Sequence, residues 1–458
     1  MYQINFQKPC HIYFVGIGGI SMSGLAEILH NAGFQVSGSD WHASSITQAL
    51  ETKGIQVKYG ESSEHISEDI DCAVLTSAVH EDNLEVQAIR AMKIPSMLRA
   101  ELLGQLMKNY SMPVAVSGTH GKTTTTSMIS EILLRGNTDP TLCVGGILKS
   151  IGGNLRIGNS QYFVTEACEY TNSFLSFFPK VSLILNIEED HLDFFKDLAD
   201  IRSSFRRFAE LLPQDGTLII NGDIENYEEI TAGLPCKVIT FGHSDNCDYA
   251  LNTINYNASG YPECVLKTPL GLRELKLQVP GEHNVMNAIA SLVLADILGI
   301  DAKTTADALH DFHGTNRRFE YKGSIGGVTI VDDYAHHPTE ITATLQAAQK
   351  YPHKTLWCVF QPHTYTRTKA LMDDFAKALT LSDKVVLADI YAAREKDTLG
   401  ISSKDLQNCI RALGKECVYF PTFDEIENYL LENCINGDLL ITMGAGDVHK
   451  IGETLLGQ

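Results

Sequence analysis

The chain has 458 residues, 44% of them hydrophobic, enough for buried cores and too many for one domain of about 100 to 200 residues, so roughly two or three domains are expected. A formal net charge of -20 repels phosphate backbones and anionic lipid surfaces, which argues against nucleic acid as a partner, and no uninterrupted apolar run is long enough to span a membrane. The start lacks a charged region followed by an apolar stretch, and the eleven cysteines include no CxxC pair, so a soluble cytoplasmic protein with reduced thiols is expected.

His11 to Val15 reads as a strand ending at Gly16, Ser21 to Ala32 as a helix and Gln35 to Gly38 as a second strand, a β-α-β opening. Asp71 to Ser77 continues the alternation as a strand and Asn83 to Ala91 as a helix. The turn Gly16-Ile17-Gly18-Gly19, with Asp40 ending the second strand, resembles a dinucleotide fingerprint, although Ser21 stands where a third glycine belongs. Such a turn can hold any pyrophosphate at its helix terminus, so the residues leave NAD and a UDP-sugar equally open, with a purely structural turn as the lesser alternative.

Around Asn109 to Pro113 the chain resets into a strand, Val114 to Val116, a Gly-rich loop and a Thr-rich helix running toward Leu134. Gly118-Thr119-His120-Gly121-Lys122-Thr123 presents backbone N–H groups and a helix N-terminus to a polyphosphate; Lys122 would meet the β and γ phosphates and the Thr123 hydroxyl a Mg2+ ion. Val116 occupies the place of the first Walker glycine, so this is a shortened P-loop. Strands follow at Gln161 to Thr165, Val181 to Asn186 and Thr217 to Asn221. Glu166 closes one, and Asp190-His191 follows another, where strand ends converge on a ligand crevice; Glu166 and His191 suit Mg2+, while Glu188 and Glu189 read as solvated turn acids.

His283 to Leu298 is a long apolar helix pattern that puts Asn284 and Asn287 on one face, either to read an adenine edge or simply to cap the helix. The second domain would end near Gly314. Beyond Arg317-Arg318-Phe319, strands recur at Val328 to Asp332, Thr355 to Phe360, Lys384 to Ala388 and Leu439 to Met443, a third α/β domain. The loops Asp332 to Pro338 and Gln361 to Arg367 then fall at one sheet edge. Arg367 could hold a carboxylate and Tyr334 and His336 an amine, although surface histidines and a salt-bridging arginine would leave the same letters.

Taken together, GTHGKTTT, EDHLD, GEHNVMNAIA, RRFE and VDDYAHHPTE resemble the Mur ligase family, in this order, from His11 to about Asp447. The resemblance implies an α/β chain of three domains: a Rossmann-like N-terminal domain (1–110) for a UDP-sugar, a central P-loop ATPase domain (111–315), and a C-terminal α/β Rossmann-like domain (316–458) for an amino acid. It assigns Gly16, Gly18, Gly19, Ser21 and Asp40 to the UDP-sugar. ATP falls to Gly118, Thr119, His120, Gly121, Lys122, Thr123, Thr124, Asn284, Asn287 and Arg318, with Arg317 the neighbouring candidate. Mg2+ falls to Thr123, Glu166 and His191, and the amino acid to Tyr334, His336 and Arg367; Lys122, Glu166, His191, His336 and Arg367 are the implied catalytic set.

The stretches GIGGISMSGLA, HHPTE and FQPHTYTRT are most like the members that join L-alanine to UDP-N-acetylmuramate through an acyl phosphate, as a cytoplasmic monomer or weak homodimer. Two departures stand out. Several relatives bridge a second metal with a carbamylated lysine, but the segment Arg202 to Arg207 has none, and Thr364 stands where some alanine ligases carry an arginine. A ligase recycling ready-made peptides, a nicotinamide-dependent oxidoreductase and a noncatalytic nucleotide switch are the competing readings; the intact P-loop counts against the oxidoreductase, and Glu166 with His191 against the switch.

Overall fold

The computed structural model describes residues 2–76, 79–192, 194–393 and 395–458; Ser77, at the end of a strand expected from sequence, and Asp193, of the motif after His191, lie outside the described residues. The chain is mixed α/β with three sheets. It divides into two compact units, one of residues up to Thr126 with Leu133–Thr240, the other of Ser127–Ile132 with the chain from Phe241 onward.

The first unit opens with five parallel strands: β1 (His11–Val15), β2 (Gln35–Asp40), β3 (Gln56–Tyr59), β4 (Cys72–Leu75) and β5 (Ser96–Leu98), in the order β3-β2-β1-β4-β5. Every residue of β1 is buried, as a continuous apolar run covered on both faces requires. β3 and β5 were not foreseen, because they are short and carry polar residues at exposed positions. The helix Ile20–Asn31 leaves β1 through the first glycine loop.

The same unit contains β6 (Met112–Ser117), β7 (Thr141–Leu148), β8 (Gly153–Arg156), β9 (Tyr162–Ala167), β10 (Val181–Ile184) and β11 (Thr217–Asn221). β6 is central, paired in parallel with β9 on one side and β10 on the other, so that Val116 stands between Glu166 and Leu183. Glu166 therefore lies inside β9, which ends at Ala167, two residues past the Thr165 end expected from sequence. The antiparallel hairpin β7-β8 is appended beyond β9.

In the second unit the end of β12 (Lys237–Gly242) pairs in parallel with β13 (Tyr249–Tyr256), which continues antiparallel into β14 (Pro262–Thr268) and β15 (Gly271–Lys276). The helix Glu282–Ile297 follows, buried over most of its length. A last sheet has the order β16-β17-β21-β18-β19-β20, from β16 (Glu320–Ile325), β17 (Val328–Asp333), β18 (Leu356–Phe360), β19 (Lys384–Leu387), β20 (Cys417–Tyr419) and β21 (Leu439–Met443). Only β16 runs antiparallel to its neighbour. Asp332 lies in β17 as the expected strand Val328 to Asp332 has it, and Asp333 also belongs to β17, not to the loop after it. All eleven cysteines are free, and no described helix is long and apolar enough to cross a membrane.

In the first unit the helix Arg99–Met107 packs closely on the segment around Phe174, whose ring stacks on Phe208 at 4.5 Å and meets Phe205 edge-on at 5.5 Å. A Cβ built on Gly104 would penetrate the carbonyl oxygen of Ser176. Gly104→Ala is therefore expected to destabilise by about 2 kcal/mol, the overlap outweighing the roughly 1 kcal/mol of helix propensity that alanine returns. A lower urea midpoint at unchanged slope checks it; an unchanged or higher midpoint contradicts the close contact.

Candidate active site

The loop between β6 and the helix Lys122–Arg135 turns on Gly118 at φ 146° and Gly121 at φ 82°, backbone that favours glycine. Asn186, just past β10, fastens it: the His120 N–H donates to Asn186 Oδ1 at 2.7 Å and the Thr119 N–H to the Asn186 carbonyl at 3.2 Å. Those two amides are thus committed to the protein, and the helix's first-turn N–H groups, which have no helical carbonyl to pair with, form the anion-facing end of the loop.

Lys122 Nζ donates to the carbonyls of Gly118 at 2.5 Å and Thr119 at 3.0 Å, and pairs with Glu169 at 3.1 Å. Burial alone would lower the affinity of this amine for its proton; Glu169, then Cys168 and Glu166, outweigh that and hold its pKa above the ordinary lysine value. Glu169 is only 2% exposed, a buried carboxylate to which the sequence pattern gives no role. Its nearness to the P-loop arises because β9 runs beside β6 and the chain turns back directly after Ala167.

Glu166 Oε2 accepts from the Thr123 hydroxyl at 3.0 Å and Oε1 from the Gly145 N–H at 2.5 Å. The ring nitrogen of His191 lies 3.8 Å from Glu169 and 3.7 Å from Asp190, with Tyr170 packed on the imidazole at 4.5 Å. His191 sits at φ 54°, a left-handed conformation uncommon outside glycine. Glu188 keeps a side chain 36% exposed, as a solvated acid would, and is also tied to the loop: its N–H donates to Thr119 Oγ1 at 2.9 Å and its carboxylate lies 3.5 Å from His120. Where a lysine is absent, the helix Leu198–Ala209 directs Arg202 and Arg206 at carbonyls of 225–232, and Ser204 donates to Asn172.

In the first glycine loop the N–H groups of Gly16 and Ile17 both donate to the Ser39 carbonyl at 2.9 Å. Asp40 Oδ2 accepts from the Gly18 N–H at 2.8 Å, so the acid closes the loop on itself. Gly19 caps the helix, and Ser21 is exposed in its first turn.

The second unit gathers a separate set. Asn284 and Asn287 are buried on one face: Asn284 Nδ2 donates to the Pro280 carbonyl at 2.7 Å, Asn287 Nδ2 to Asn284 Oδ1 at 3.2 Å, and Gly281, not an asparagine, occupies the capping position. Arg317 is anchored by Asp332 at 2.9 Å and the Gly444 carbonyl at 2.7 Å, whereas Arg318 reaches Glu340 at 3.8 Å and lies over the Tyr334 ring. Burial raises the Asp333 carboxyl to about 6 despite Arg318; it accepts from the N–H groups of Ala335 at 2.7 Å and Phe319 at 2.9 Å, shaping the loop. Tyr334, His336 and His363 form a ring chain at 5.4 and 5.8 Å, and Arg367 Nη1 donates to His363 Nδ1 at 3.3 Å.

His363 was assigned no role from sequence. Burial, with His336 and Arg367 nearby, lowers its pKa to about 4, so the imidazole is neutral, with its proton on Nε2 because arginine only donates. A histidine whose folded pKa lies below the unfolded value of about 6.5 gives stability that is fully present above that pH and is lost as pH falls toward the folded pKa. NMR titration of the His363 ring is expected to show a midpoint near 4, and His363→Phe to reduce the loss of stability between pH 6.5 and 4. A ring midpoint near 6.5 would contradict this environment.

Three family models cover the chain: Mur ligase family, catalytic domain, over residues 11–111; Mur ligase middle domain over 116–295; and Mur ligase, glutamate ligase domain over 317–446. Among curated relatives, the UDP-N-acetylmuramate--L-alanine ligases of Agathobacter rectalis and Lachnospira eligens are 58% and 57% identical, each covering 100% of both chains. A crystal structure of UDP-N-acetylmuramate-alanine ligase from Thermotoga maritima is similar at TM-score 0.82 and 30% identity, covering 98% of each chain. A murein peptide ligase from Psychrobacter arcticus shares the fold at TM-score 0.73 and 24% identity, again over 98% of each.

Proposed function

The chain belongs to the Mur ligase family, and from that premise we propose that it joins L-alanine to UDP-N-acetylmuramate in an ATP-dependent, ADP-forming reaction of peptidoglycan precursor synthesis. The observation that carries the chemistry is the grouping of Lys122, Glu169, Thr123 and Glu166 where β6 and β9 end side by side. This is a phosphoryl-transfer site: a charged amine on a P-loop beside hard oxygen donors.

A carboxylate is a poor acyl donor because its leaving group is oxide. Attack of the lactyl carboxylate oxygen on the γ-phosphorus of ATP releases ADP and leaves an acyl phosphate. The alanine nitrogen then attacks the carbonyl carbon, the carbon–oxygen bond to phosphate breaks, and the amine gives up a proton. Lys122 balances charge on the transferring phosphoryl oxygens, and the first-turn amides receive the phosphates. Thr123 and Glu166 fit Mg2+, since a hydroxyl and a carboxylate already within 3.0 Å of each other are the oxygen donors this ion takes, and His191 stands by on the Glu169 side. When bound, Mg2+ supplies further charge neutralisation at the phosphates.

For the amino acid we assign Arg367, oriented by neutral His363, to the alanine carboxylate, and Tyr334 and His336 to the amine end. Arg318, less tightly held than Arg317, is the phosphate contact, and Asn284 with Asn287 serves the adenine end. Gly16, Gly18, Gly19 and Ser21 receive the UDP-sugar; Asp40 acts by holding the loop shape. The functional division follows 1–110, 111–315 and 316–458. We place the enzyme in the cytoplasm as a monomer or weak homodimer.

Phosphate release from ATP and Mg2+ with UDP-N-acetylmuramate is expected to depend on L-alanine, and to fall at least about 10²-fold in Lys122→Ala. Release with L-alanyl-D-glutamyl peptides and not with alanine would overturn the assignment in favour of a recycling ligase.

A further inference from the structure

A cavity of about 180 Å³ inside the first unit is lined by Ser21 and Gly24 of the helix after the first glycine loop, by Arg99, by Cys143 and Gly145 of β7, and by Glu166. It thus joins the end of the molecule that receives the UDP-sugar to the carboxylate beside Thr123. Arg99 is the first residue of the helix Arg99–Met107. Arg99 is half-buried, and its guanidinium makes no hydrogen bond or close ion pair with a described side chain or carbonyl, although Glu166 lies near enough to favour its charge. Glu166, the nearby carboxylate, is engaged with Thr123 and Gly145 instead.

Removing a guanidinium from water without giving it partners costs free energy, and burial accordingly weakens its hold on its proton. A half-buried cation that lines a cavity and lacks a hydrogen-bond partner contributes little to the fold and is well suited to receiving an anion. Its planar fork matches a carboxylate through two parallel N–H donors. Its charge also offsets that of Glu166, which would otherwise repel a second carboxylate entering the same space. A pyrophosphate belongs at the other end, on the glycine loop and its helix terminus.

We propose that Arg99 binds the lactyl carboxylate of the sugar substrate, holding the reacting oxygen on the Glu166 side of the cavity. This rests on the ligase reading above. Arg99 is then the residue by which the enzyme distinguishes UDP-N-acetylmuramate from UDP-N-acetylglucosamine, which carries the same nucleotide and diphosphate but no lactyl carboxylate.

The test is calorimetric titration of both UDP-sugars into wild type, Arg99→Met and Arg99→Lys, in the presence of Mg2+ and a non-hydrolysable ATP analogue. Wild type is expected to prefer the muramyl sugar. Arg99→Met should bind it at least about 30-fold more weakly, with affinity for the glucosamine sugar unchanged, and Arg99→Lys should keep part of the preference. Because the methionine keeps the packing of the side-chain stem and removes a half-buried charge that makes no hydrogen bond, Arg99→Met should melt no lower than wild type without ligand. A preference retained in Arg99→Met, or an equal loss for both sugars, overturns the assignment. A wild type that binds the two sugars alike overturns the ligase reading and this assignment with it.

Discussion

A lysine ammonium held against a buried carboxylate is the interaction on which this site depends: Lys122 Nζ lies 3.1 Å from Glu169, with the carbonyls of Gly118 and Thr119 taking its other protons. A lysine that meets polyphosphate must be charged, yet partial burial disfavours the charge. Glu169 resolves the conflict by making the protonated form the stable one. The arrangement also keeps the loop folded on its own lysine, a contact that phosphate oxygens can replace without moving the backbone. Gly118 and Gly121 make that backbone possible, since both take positive φ.

Sheet order explains how so acidic a chain assembles a site for anions. With β6 between β9 and β10, the P-loop, Glu166 and Asn186 emerge from neighbouring strand ends, and a parallel sheet brings such ends to one edge. Positive potential is then local, supplied by Lys122, Arg99 and a helix terminus, against a formal net charge of -20. In the second unit Arg367 and Arg318 are each placed by a neighbour, neutral His363 in one case and the Tyr334 ring in the other, and are the residues proposed above for the same part.

The long, strongly patterned elements were legible in the sequence. His11–Val15, Thr217–Asn221 and Leu439–Met443 are strands with the expected bounds, because each is an apolar run closed by a turn. The P-loop was legible because its chemistry is local, six consecutive residues between a strand and a helix. What escaped were short edge strands such as β5, and the antiparallel run β13 to β15, whose register is set by pairing partners and not by composition. Glu169, His363 and Arg99 escaped for a related reason. Their roles come from burial and from neighbours distant in the chain, and a lone acid, histidine or arginine carries no mark of either. Asp40 shows the converse: its position was read correctly at the end of β2, yet its carboxylate turns inward to the Gly18 amide.

The measurement that bears most directly on the account is the fate of oxygen-18 placed in both lactyl carboxylate oxygens of UDP-N-acetylmuramate. If the carboxylate is phosphorylated before the amine attacks, mass spectrometry of the released phosphate will find one labelled oxygen per molecule, with the other retained in the new amide. Phosphate free of label would contradict the account, because ATP would then be cleaved without the carboxylate having become its acceptor.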